Sequence, residues 1–431
     1  MPRTPRRPSL TPRRAPRTAR RARRIALLTT ATATAATLLA ACGGDGGGSS
    51  AAKDSSGRLV LTEMDYYNTD PTMSALPKLL DSCGKKAGVT VRRKIVPDLR
   101  TKLIQLAGSH AVPDLVLLDN PDLQQLAATG ALTDLGAAGL KTDGLYENVV
   151  AAGQYEGKLY GVAPGVNSLA LYYDKKLFAD AGLTPPTTWD ALAKAARKLT
   201  SGKRHGLGFA VPATEEGSFQ FESFFLSAGA SLAKLDSPEA VRALTFLNTL
   251  VKEGSAPKDV LSWTQANVQE QFANGSLAMM VNGPWQLPQL KKAGLSGADY
   301  GIVPMPVPAK GDTPSGALGG EVWAAGNNGA EKSRKAAEVI SCMVNETNSL
   351  TWSKLTQYVP AAKSAAAELA GEQPQMKPFV DGIAGARGRT AKLGAKYPAA
   401  SQALWTAVQA ALSGQKSPSA ALAAAQAEAT R

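Results

Sequence analysis

Histidine and cysteine are scarce in this chain, whose 431 residues include two histidines and three cysteines. His110 and His205 lie in unrelated contexts, and neither a CxxC nor an HExxH spacing occurs, so we expect no metal site. The sequence also lacks a GxSxG turn and a GxxxxGK loop. These absences argue against a nucleophile-elbow hydrolase and a phosphate-loop nucleotide-binding protein, and we expect no cofactor.

Positive charge exceeds negative charge, but the excess is concentrated at one end. The formal net charge is +13, and ten arginines with no acidic residue precede Cys42. Without these arginines the charge is about +3, spread along the remaining chain. No basic patch with interleaved aromatic residues is left, so the sequence predicts no nucleic-acid partner.

The arginine-rich start continues into the features of an export signal. Ile25–Ala41 is an uncharged run of 17 residues that includes five threonines. This run is short and weakly apolar for a membrane span, which needs about 20 residues. A basic region, a short apolar run and small residues at its end are typical of an export signal. The segment Leu39-Ala40-Ala41-Cys42 resembles the lipobox of bacterial lipoproteins, in which the cysteine is lipidated and becomes the new N-terminus.

The resemblance to a lipobox implies both a location and an anchor. Residues 1–41 would be a lipoprotein signal peptide, and residues 42–57, rich in glycine and serine, a flexible linker. The protein is then expected to be extracytoplasmic, attached through a lipid on Cys42 to the outer face of the cytoplasmic membrane. The arginine pairs at 20–21 and 23–24 leave general and twin-arginine export both open.

Beyond the linker, apolar runs alternate with segments of helical periodicity. Arg58–Leu61, Val89–Val96 and Leu115–Leu118 predict buried strands, and leucines at helical spacing predict a helix after each of the first two. This order indicates an α/β fold with a parallel sheet. Ligands of such sheets lie beyond the carboxyl ends of the strands, which polar residues at 63–68 and 119–120 occupy here.

Local patterns predict further elements downstream. Thr187 with Asp190 three residues later predicts a capped helix start at Thr187. Gly206–Val211 predicts a strand, and the alanine-rich tail Ser401–Ala429 predicts two helices.

Five segments together resemble one family, the extracellular solute-binding proteins of ABC sugar importers, of the maltose-binding-protein-like group. The most specific is Gly275–Trp285, a strand that ends in Asn-Gly-Pro-Trp. Lys102–Leu135 resembles the family's helix, Pro-Asp, strand and helix block. Tyr155–Asp174, followed by Pro185–Trp189, resembles the segment that crosses between its lobes, and Tyr300–Ala325 resembles the return crossing. Each motif alone is weak, but they occur in the family's order over nearly the whole exported chain.

The resemblance implies a two-lobe periplasmic-binding-protein-like fold of class II with the ligand in the cleft. The N-terminal lobe would comprise residues 58–161 plus 315–358, and the C-terminal lobe residues 162–314 plus 359–431. Hinge motion would close the lobes around the ligand. The expected partners are a mono- or oligosaccharide and the permease of an ABC importer, and the protein is expected to be a monomer without catalytic activity.

Sugars present apolar faces and a rim of hydroxyl groups, so aromatic side chains and hydrogen-bonding groups on loops are the candidates for the cleft. The resemblance assigns ring stacking to Trp285 and Phe219 and a polar contact to Asn167. The candidate ligand-binding residues are Asp65, Tyr66, Tyr67, Asp119, Asn120, Asn167, Phe219, Gln220, Trp285, Gly320, Glu321, Trp323 and Arg387.

Several of these assignments have a plainer alternative. Trp285 can instead pack in the core of a lobe. Strand alternation lets at most about half of the residues after the first strand face the ligand. Arg387 and Arg389 precede the last helices, where surface charge is the simpler interpretation.

The family topology places Cys83 and Cys342 on helices of the same lobe. A disulfide and a pair of buried free thiols both remain open, since an exported protein permits the bond without requiring it.

Two other functions compete with a sugar receptor. An exported glycosidase needs a pair of carboxylates, which Glu63, Asp65, Asp119 and Glu321 can supply. The same binding fold can also hold a peptide or a polyamine, because the acidic groups suit a cationic ligand.

Overall fold

The computed structural model describes residues 52–430, so the predicted signal peptide and Cys42 lie outside the described residues. The strands are β1 (Leu59–Asp65), β2 (Val89–Ile95), β3 (Leu115–Asp119), β4 (Gln154–Tyr155), β5 (Lys158–Leu159), β6 (Gly161–Val162), β7 (Gly165–Val166), β8 (Ala170–Asp174), β9 (Met279–Asn282), β10 (Tyr300–Pro304), β11 (Ala317–Leu318), β12 (Glu321–Ala325), β13 (Val359–Pro360) and β14 (Arg387–Gly388). The helices are α1 (Thr72–Ala87), α2 (Leu99–Gly108), α3 (Leu123–Ala127), α4 (Glu147–Ala152), α5 (Lys175–Asp180), α6 (Trp189–Leu199), α7 (Glu215–Ser227), α8 (Pro238–Lys252), α9 (Gln265–Ala273), α10 (Leu287–Lys292), α11 (Ala330–Met343), α12 (Glu346–Thr356), α13 (Lys363–Glu372), α14 (Lys377–Ile383), α15 (Tyr397–Leu412) and α16 (Pro418–Ala429).

The larger sheet has five strands in the order β2-β1-β3-β12-β6. β1 pairs in parallel with β2 and β3, as the alternation of strands and helices predicts. β12 returns from far along the chain and pairs antiparallel with β3, which places Glu321 opposite Asp119. The carboxyl end of β3 and the start of β12 therefore lie side by side.

The smaller sheet has three antiparallel strands in the order β10-β8-β9. The strand predicted at Gly206–Val211 is wrong, because that segment makes only one isolated bridge, from Gly208 to Met280. The side chains of this segment are nevertheless buried. Their burial explains why the segment is apolar although it does not form a regular strand.

Buried apolar side chains join the sheets to their helices. Leu61, Leu115 and Trp323 from the larger sheet pack with Leu76 of α1 and Ile340 of α11. A second cluster packs α6, α7, α8 and the last two helices together. The helices predicted within residues 401–429 are confirmed as α15 and α16.

Helix starts follow local hydrogen-bond chemistry. The hydroxyl of Ser237 accepts from the amide of Ala240 at the start of α8. The predicted cap at Thr187 is wrong by one residue, since Thr188 accepts from the amide of Ala191. Adjacent threonines offer the same chemistry, and packing decides between them.

A disulfide joins Cys83 of α1 to Cys342 of α11, with their Cα atoms 5.6 Å apart. Of the two alternatives left open by the sequence, the structure therefore has the bonded one. Among the described residues, no helix combines the length and the apolar character needed to cross a membrane.

Candidate functional site

A cavity of about 320 Å³ lies where the ends of many elements meet. β1, β3 and β12 contribute from the larger sheet, and α7, α9 and the segment after β9 contribute from the other side. The lining residues are Tyr66, Asp119, Asn167, Glu215, Glu216, Phe219, Gln265, Trp285, Gly319, Gly320, Glu321, Tyr358 and Arg389. The mix of aromatic rings, carboxylates and amides gives the cavity both stacking surfaces and hydrogen-bonding groups.

Aromatic rings form one wall of the cavity. The Trp285 ring lies 6.4 Å from the Phe219 ring and 6.3 Å from the Tyr358 ring, measured between centroids. Trp285 follows β9 and stays half-buried, so part of its ring faces the cavity. A Cβ on Gly283 would lie 1.9 Å from this ring, so only glycine allows the ring to fold back onto its own chain.

Glu321 is a carboxylate between two tyrosines. It is 8% exposed, and it accepts hydrogen bonds from the hydroxyls of Tyr66 at 2.6 Å and Tyr358 at 3.3 Å. Burial raises the pKa of Glu321, and the hydrogen bond from Tyr66 opposes that rise. Both tyrosines are thereby held in place with their hydroxyls committed to this acceptor.

Arg389 ties the larger sheet to α7. Its guanidinium nitrogens lie 2.7 Å from a carboxylate oxygen of Asp119 and 2.7 Å from one of Glu215. The same group lies over the Phe219 ring, 5.2 Å from the centroid. The arginine side chain is buried, while both carboxylates remain partly exposed toward the cavity. One buried cation therefore positions two acceptors and a stacking ring.

A further acid lies beneath this arrangement. The Tyr397 hydroxyl lies 2.6 Å from a carboxylate oxygen of Glu215 and 2.9 Å from one of Glu222, and it can donate its single proton to only one of them at a time. Burial, together with the nearby charge of Glu215, raises the pKa of Glu222 to about 8. Glu222 is therefore protonated at neutral pH and supports the site without adding a charge to it.

The backbone approaches closely at Asn167 and Gly319. Their amide and carbonyl groups exchange two hydrogen bonds. A Cβ on Gly319 would lie 2.2 Å from the amide oxygen of Asn167 and 2.7 Å from the Phe219 ring. Glycine at 319 therefore lets the amide and the ring occupy the cavity together.

Seven of the candidate residues come together here. They are Tyr66, Asp119, Asn167, Phe219, Trp285, Gly320 and Glu321. Their position is established by the structure, and their contact with a ligand stays a prediction.

Asp65 and Tyr67 do not line this cavity, which corrects their assignment. Asp65 is fully buried, and its carboxylate pairs with Arg93 at 2.6 Å. The Tyr67 ring packs 5.9 Å from the Trp352 ring in the core beside α1. The Tyr67 ring also lies 5.3 Å from the Tyr66 ring between centroids, so Tyr67 packs behind a cavity residue without lining the cavity itself.

The assignments of Asn120 and Gln220 are also corrected, because each side chain is buried and hydrogen-bonds to a main-chain carbonyl. The Asn120 amide donates to the carbonyl of Leu318 at 3.2 Å, and the Gln220 amide donates to the carbonyl of Val281 at 3.4 Å. Both side chains therefore connect elements that surround the cavity and do not line it.

Trp323 and Arg387 are the last two corrections. Trp323 lies deeper along β12 than Glu321 and packs in the core of the larger sheet. Arg387 is exposed in β14 and lines a separate groove beside α4. For Arg389 the plainer interpretation as surface charge is wrong.

Sequence reasoning missed Glu215, Glu216, Gln265 and Tyr358. The two glutamates resemble ordinary acidic residues in the first turn of a helix, which favour that position for electrostatic reasons. Gln265 likewise begins a capped helix. Their role in the cavity follows from where α7 and α9 begin, which local patterns do not reveal.

Within residues 52–430 no group of three or more histidine, cysteine, aspartate and glutamate residues could hold a metal ion. In the cavity itself, Asp119 and Glu215 are bound to Arg389 and are therefore oriented as hydrogen-bond acceptors.

The family model of the bacterial extracellular solute-binding proteins matches residues 78–379. A putative binding protein of Brucella abortus is 25% identical over 277 residues, which cover 61% of this chain and 66% of the relative. The multiple sugar-binding protein of Streptococcus mutans is 27% identical over 263 residues, or 56% of this chain and 61% of the relative. The matches thus span slightly less than two thirds of these curated relatives.

Among solved structures, maltose-bound MalE3 of T. maritima aligns with a TM-score of 0.76 at 22% identity. The alignment covers 86% of this chain and 99% of that one. At this identity the likeness establishes the fold, which is the expected two-lobe α/β architecture.

Proposed function

This chain belongs to the bacterial extracellular solute-binding proteins, and from that premise we propose that it captures a carbohydrate outside the cell and delivers it to an ABC-type importer. The observation that carries the proposal is the cavity that combines the rings of Tyr66, Phe219, Trp285 and Tyr358 with carboxylate and amide groups. Aromatic faces suit the apolar faces of a sugar ring, and the polar groups suit its hydroxyls.

The two sides of the cavity give binding a mechanical consequence. Glu321 and Asp119 belong to the larger sheet, whereas Glu215 and Phe219 belong to α7. A ligand that contacts both sides stabilises the state in which they are close together. Capture by closure of the lobes follows, and the closed form is what the importer's permease would recognise. The predicted lobe boundaries, at residues 161–162, 314–315 and 358–359, are part of this proposal.

The proposal includes a membrane anchor. A lipid on Cys42 would hold the receptor at the outer face of the cytoplasmic membrane, and the linker at 42–57 would let it reach its permease as a monomer. Support for the anchor comes from the sequence pattern, and Cys42 lies outside the described residues. The last residues of the predicted linker, 52–57, correct its boundary: Lys53 pairs with Leu59, and the carboxylate of Asp54 accepts a hydrogen bond from Thr90 at 2.6 Å, so they belong to the folded body.

A thermal-shift screen against mono- and oligosaccharides tests sugar binding. A sugar at 100 times its dissociation constant adds about 2.7 kcal/mol to the free energy of unfolding. In Trp285→Ala we expect this shift to disappear, since the ring that stacks on the sugar is gone. The melting temperature without sugar is expected to change little, because the Trp285 side chain is only half-buried.

Phe246→Ala is the matched control. Phe246 is half-buried and stacks on Trp189 at 4.8 Å between centroids, outside the cavity lining. Phe246→Ala is expected to keep the sugar-induced shift, because this ring does not line the cavity. Flat curves with every sugar would contradict the proposal. A Trp285→Ala protein that melts much earlier yet keeps its shift would instead assign Trp285 to the core.

A further inference from the structure

A second cavity, of about 260 Å³, adjoins the first. The two share Tyr66, Asp119 and Glu215, so the same three side chains form the boundary between them. The second cavity therefore lies directly beside the candidate site, on the other side of these three side chains.

The second cavity differs from the first in its lining. Leu103 of α2, Leu118 of β3 and Leu126 of α3 form its buried floor, and Ile104 lies at its rim with 39% of its surface exposed. Tyr66, shared with the first cavity, is its one aromatic lining residue. The surface is aliphatic where the first cavity is aromatic and polar.

Three of the polar side chains at the rim, Arg100, Asp122 and Gln125, are already bonded to one another. Arg100 donates from its Nε to Asp122 at 2.7 Å and from a terminal nitrogen to Gln125 at 3.3 Å. A sugar ring placed here would lose hydration from its hydroxyls and find these partners occupied, which is unfavourable. An aliphatic group loses no hydrogen bonds on entering the same space and removes apolar surface from water.

The exposed aliphatic surface of the second cavity also favours an aliphatic group over a sugar ring. Ile104 belongs to a small set of large apolar side chains of the described residues that remain exposed, the others being Met73, Ile95 and Leu355. Leu355 lies in a different groove, between α1 and α12. Ile104 alone of these four lines a cavity that adjoins the candidate site.

We propose that the ligand is a glycoside with an aliphatic aglycone, whose sugar lies against Trp285 and whose alkyl part fills the cavity lined by Leu103, Leu118 and Ile104. This inference rests on the proposed function, because it takes the first cavity as the sugar site. It adds a substrate class to that function: amphiphilic glycosides bind better than the sugar alone.

Calorimetric titration of the full chain with three sets of probes tests the inference. The three probes for each sugar are its methyl glycoside, its hexyl glycoside and a disaccharide that contains it. We expect the hexyl glycoside to bind with a dissociation constant at least tenfold smaller than the methyl glycoside, since each buried methylene favours binding. The disaccharide is expected to gain less than the hexyl glycoside.

Ile104→Ser and Leu355→Ser separate the cavity from general apolar contact. In Ile104→Ser the ratio of the methyl to the hexyl dissociation constant is expected to fall toward one, and in Leu355→Ser it is expected to stay as in the wild type. Equal binding of methyl and hexyl glycosides, or a larger gain from the disaccharide, would overturn the inference and leave the proposed function standing. No binding by any probe would overturn both.

Discussion

Glu63 is a carboxyl group buried in the larger sheet without a hydrogen-bond partner. It is 1% exposed, and neither of its oxygens is paired. Arg93 lies opposite it in the register of β1 and β2, but the guanidinium binds Asp65 instead. Burial raises the pKa of Glu63 to about 10, and the charge of Asp65 adds to the effect. The group is therefore protonated in the folded protein at neutral pH.

This protonation makes stability depend on pH in a definite direction. The pKa of an unfolded glutamate is near 4.5, so between pH 4.5 and 10 the folded state binds the proton that the unfolded state has lost. The titration of Glu63 therefore costs no stability below pH 4.5, and its cost grows as pH rises toward 10. Within that window the free energy of unfolding is expected to fall by about 1.4 kcal/mol per pH unit on account of this group.

Glu63→Gln removes the titration and keeps the shape. We expect the variant to gain stability over the wild type as pH increases from 5 to 9, as measured by urea unfolding at several pH values. Glu368→Gln is the control, because Glu368 is exposed on α13. Parallel pH profiles for wild type and Glu63→Gln would contradict the expectation.

How far the site follows from sequence depends on side-chain direction. The end of β1 is a sound place to expect ligand contacts, and Tyr66 is there, but Asp65 is buried on Arg93 and Tyr67 is buried behind the Tyr66 ring. For Arg389 the error is the opposite one, because a residue that lines the cavity was interpreted as surface charge. A loop arginine resembles surface charge until the tertiary structure brings Asp119, Glu215 and Phe219 around it from distant parts of the chain.

At the scale of elements, the order of strands and helices followed from apolar periodicity because each element must bury one face. β1, β2 and β3 confirm the predicted strands within a few residues. The pairing of strands that are far apart in the sequence could not be predicted from this periodicity. β12 joins the larger sheet beside β3, and only the family resemblance placed that segment in the first lobe.

The disulfide fastens α1 to α11 across 259 residues of sequence. A cross-link that closes so long a loop restricts the unfolded chain strongly, and native disulfides of this kind contribute about 2–5 kcal/mol. We expect the double variant Cys83→Ser/Cys342→Ser to lose stability by an amount in that range in denaturant unfolding. Sugar binding is expected to persist, since neither cysteine lines the cavity.

Intact mass under denaturing conditions gives an independent readout of the bond. Reductant is expected to add two hydrogens to the wild type and none to the double variant. A wild type whose mass does not respond would contradict the bond, and a double variant as stable as the wild type would contradict its contribution.

At the scale of the whole molecule, we expect the positive charge of Arg389 to favour closure of the two lobes. With Arg389 in place, Asp119 from the larger sheet and Glu215 from α7 share one cation. Without it, two carboxylates on opposite sides of the cavity repel each other, and a state in which the sides separate is favoured. The arginine thus lowers the free energy of the closed arrangement before any ligand binds.

Small-angle X-ray scattering can follow this equilibrium directly. A bound sugar is expected to reduce the radius of gyration of the wild type, because the ligand stabilises the closed form. Arg389→Met is expected to enlarge the radius without sugar and to weaken binding, since a smaller closed population lowers the apparent affinity in proportion. Arg387→Met is the matched control, because Arg387 is exposed and lies outside the cavity lining. If the radius stays constant upon saturation, or if Arg387→Met opens the protein as much as Arg389→Met, then closure does not depend on the shared cation.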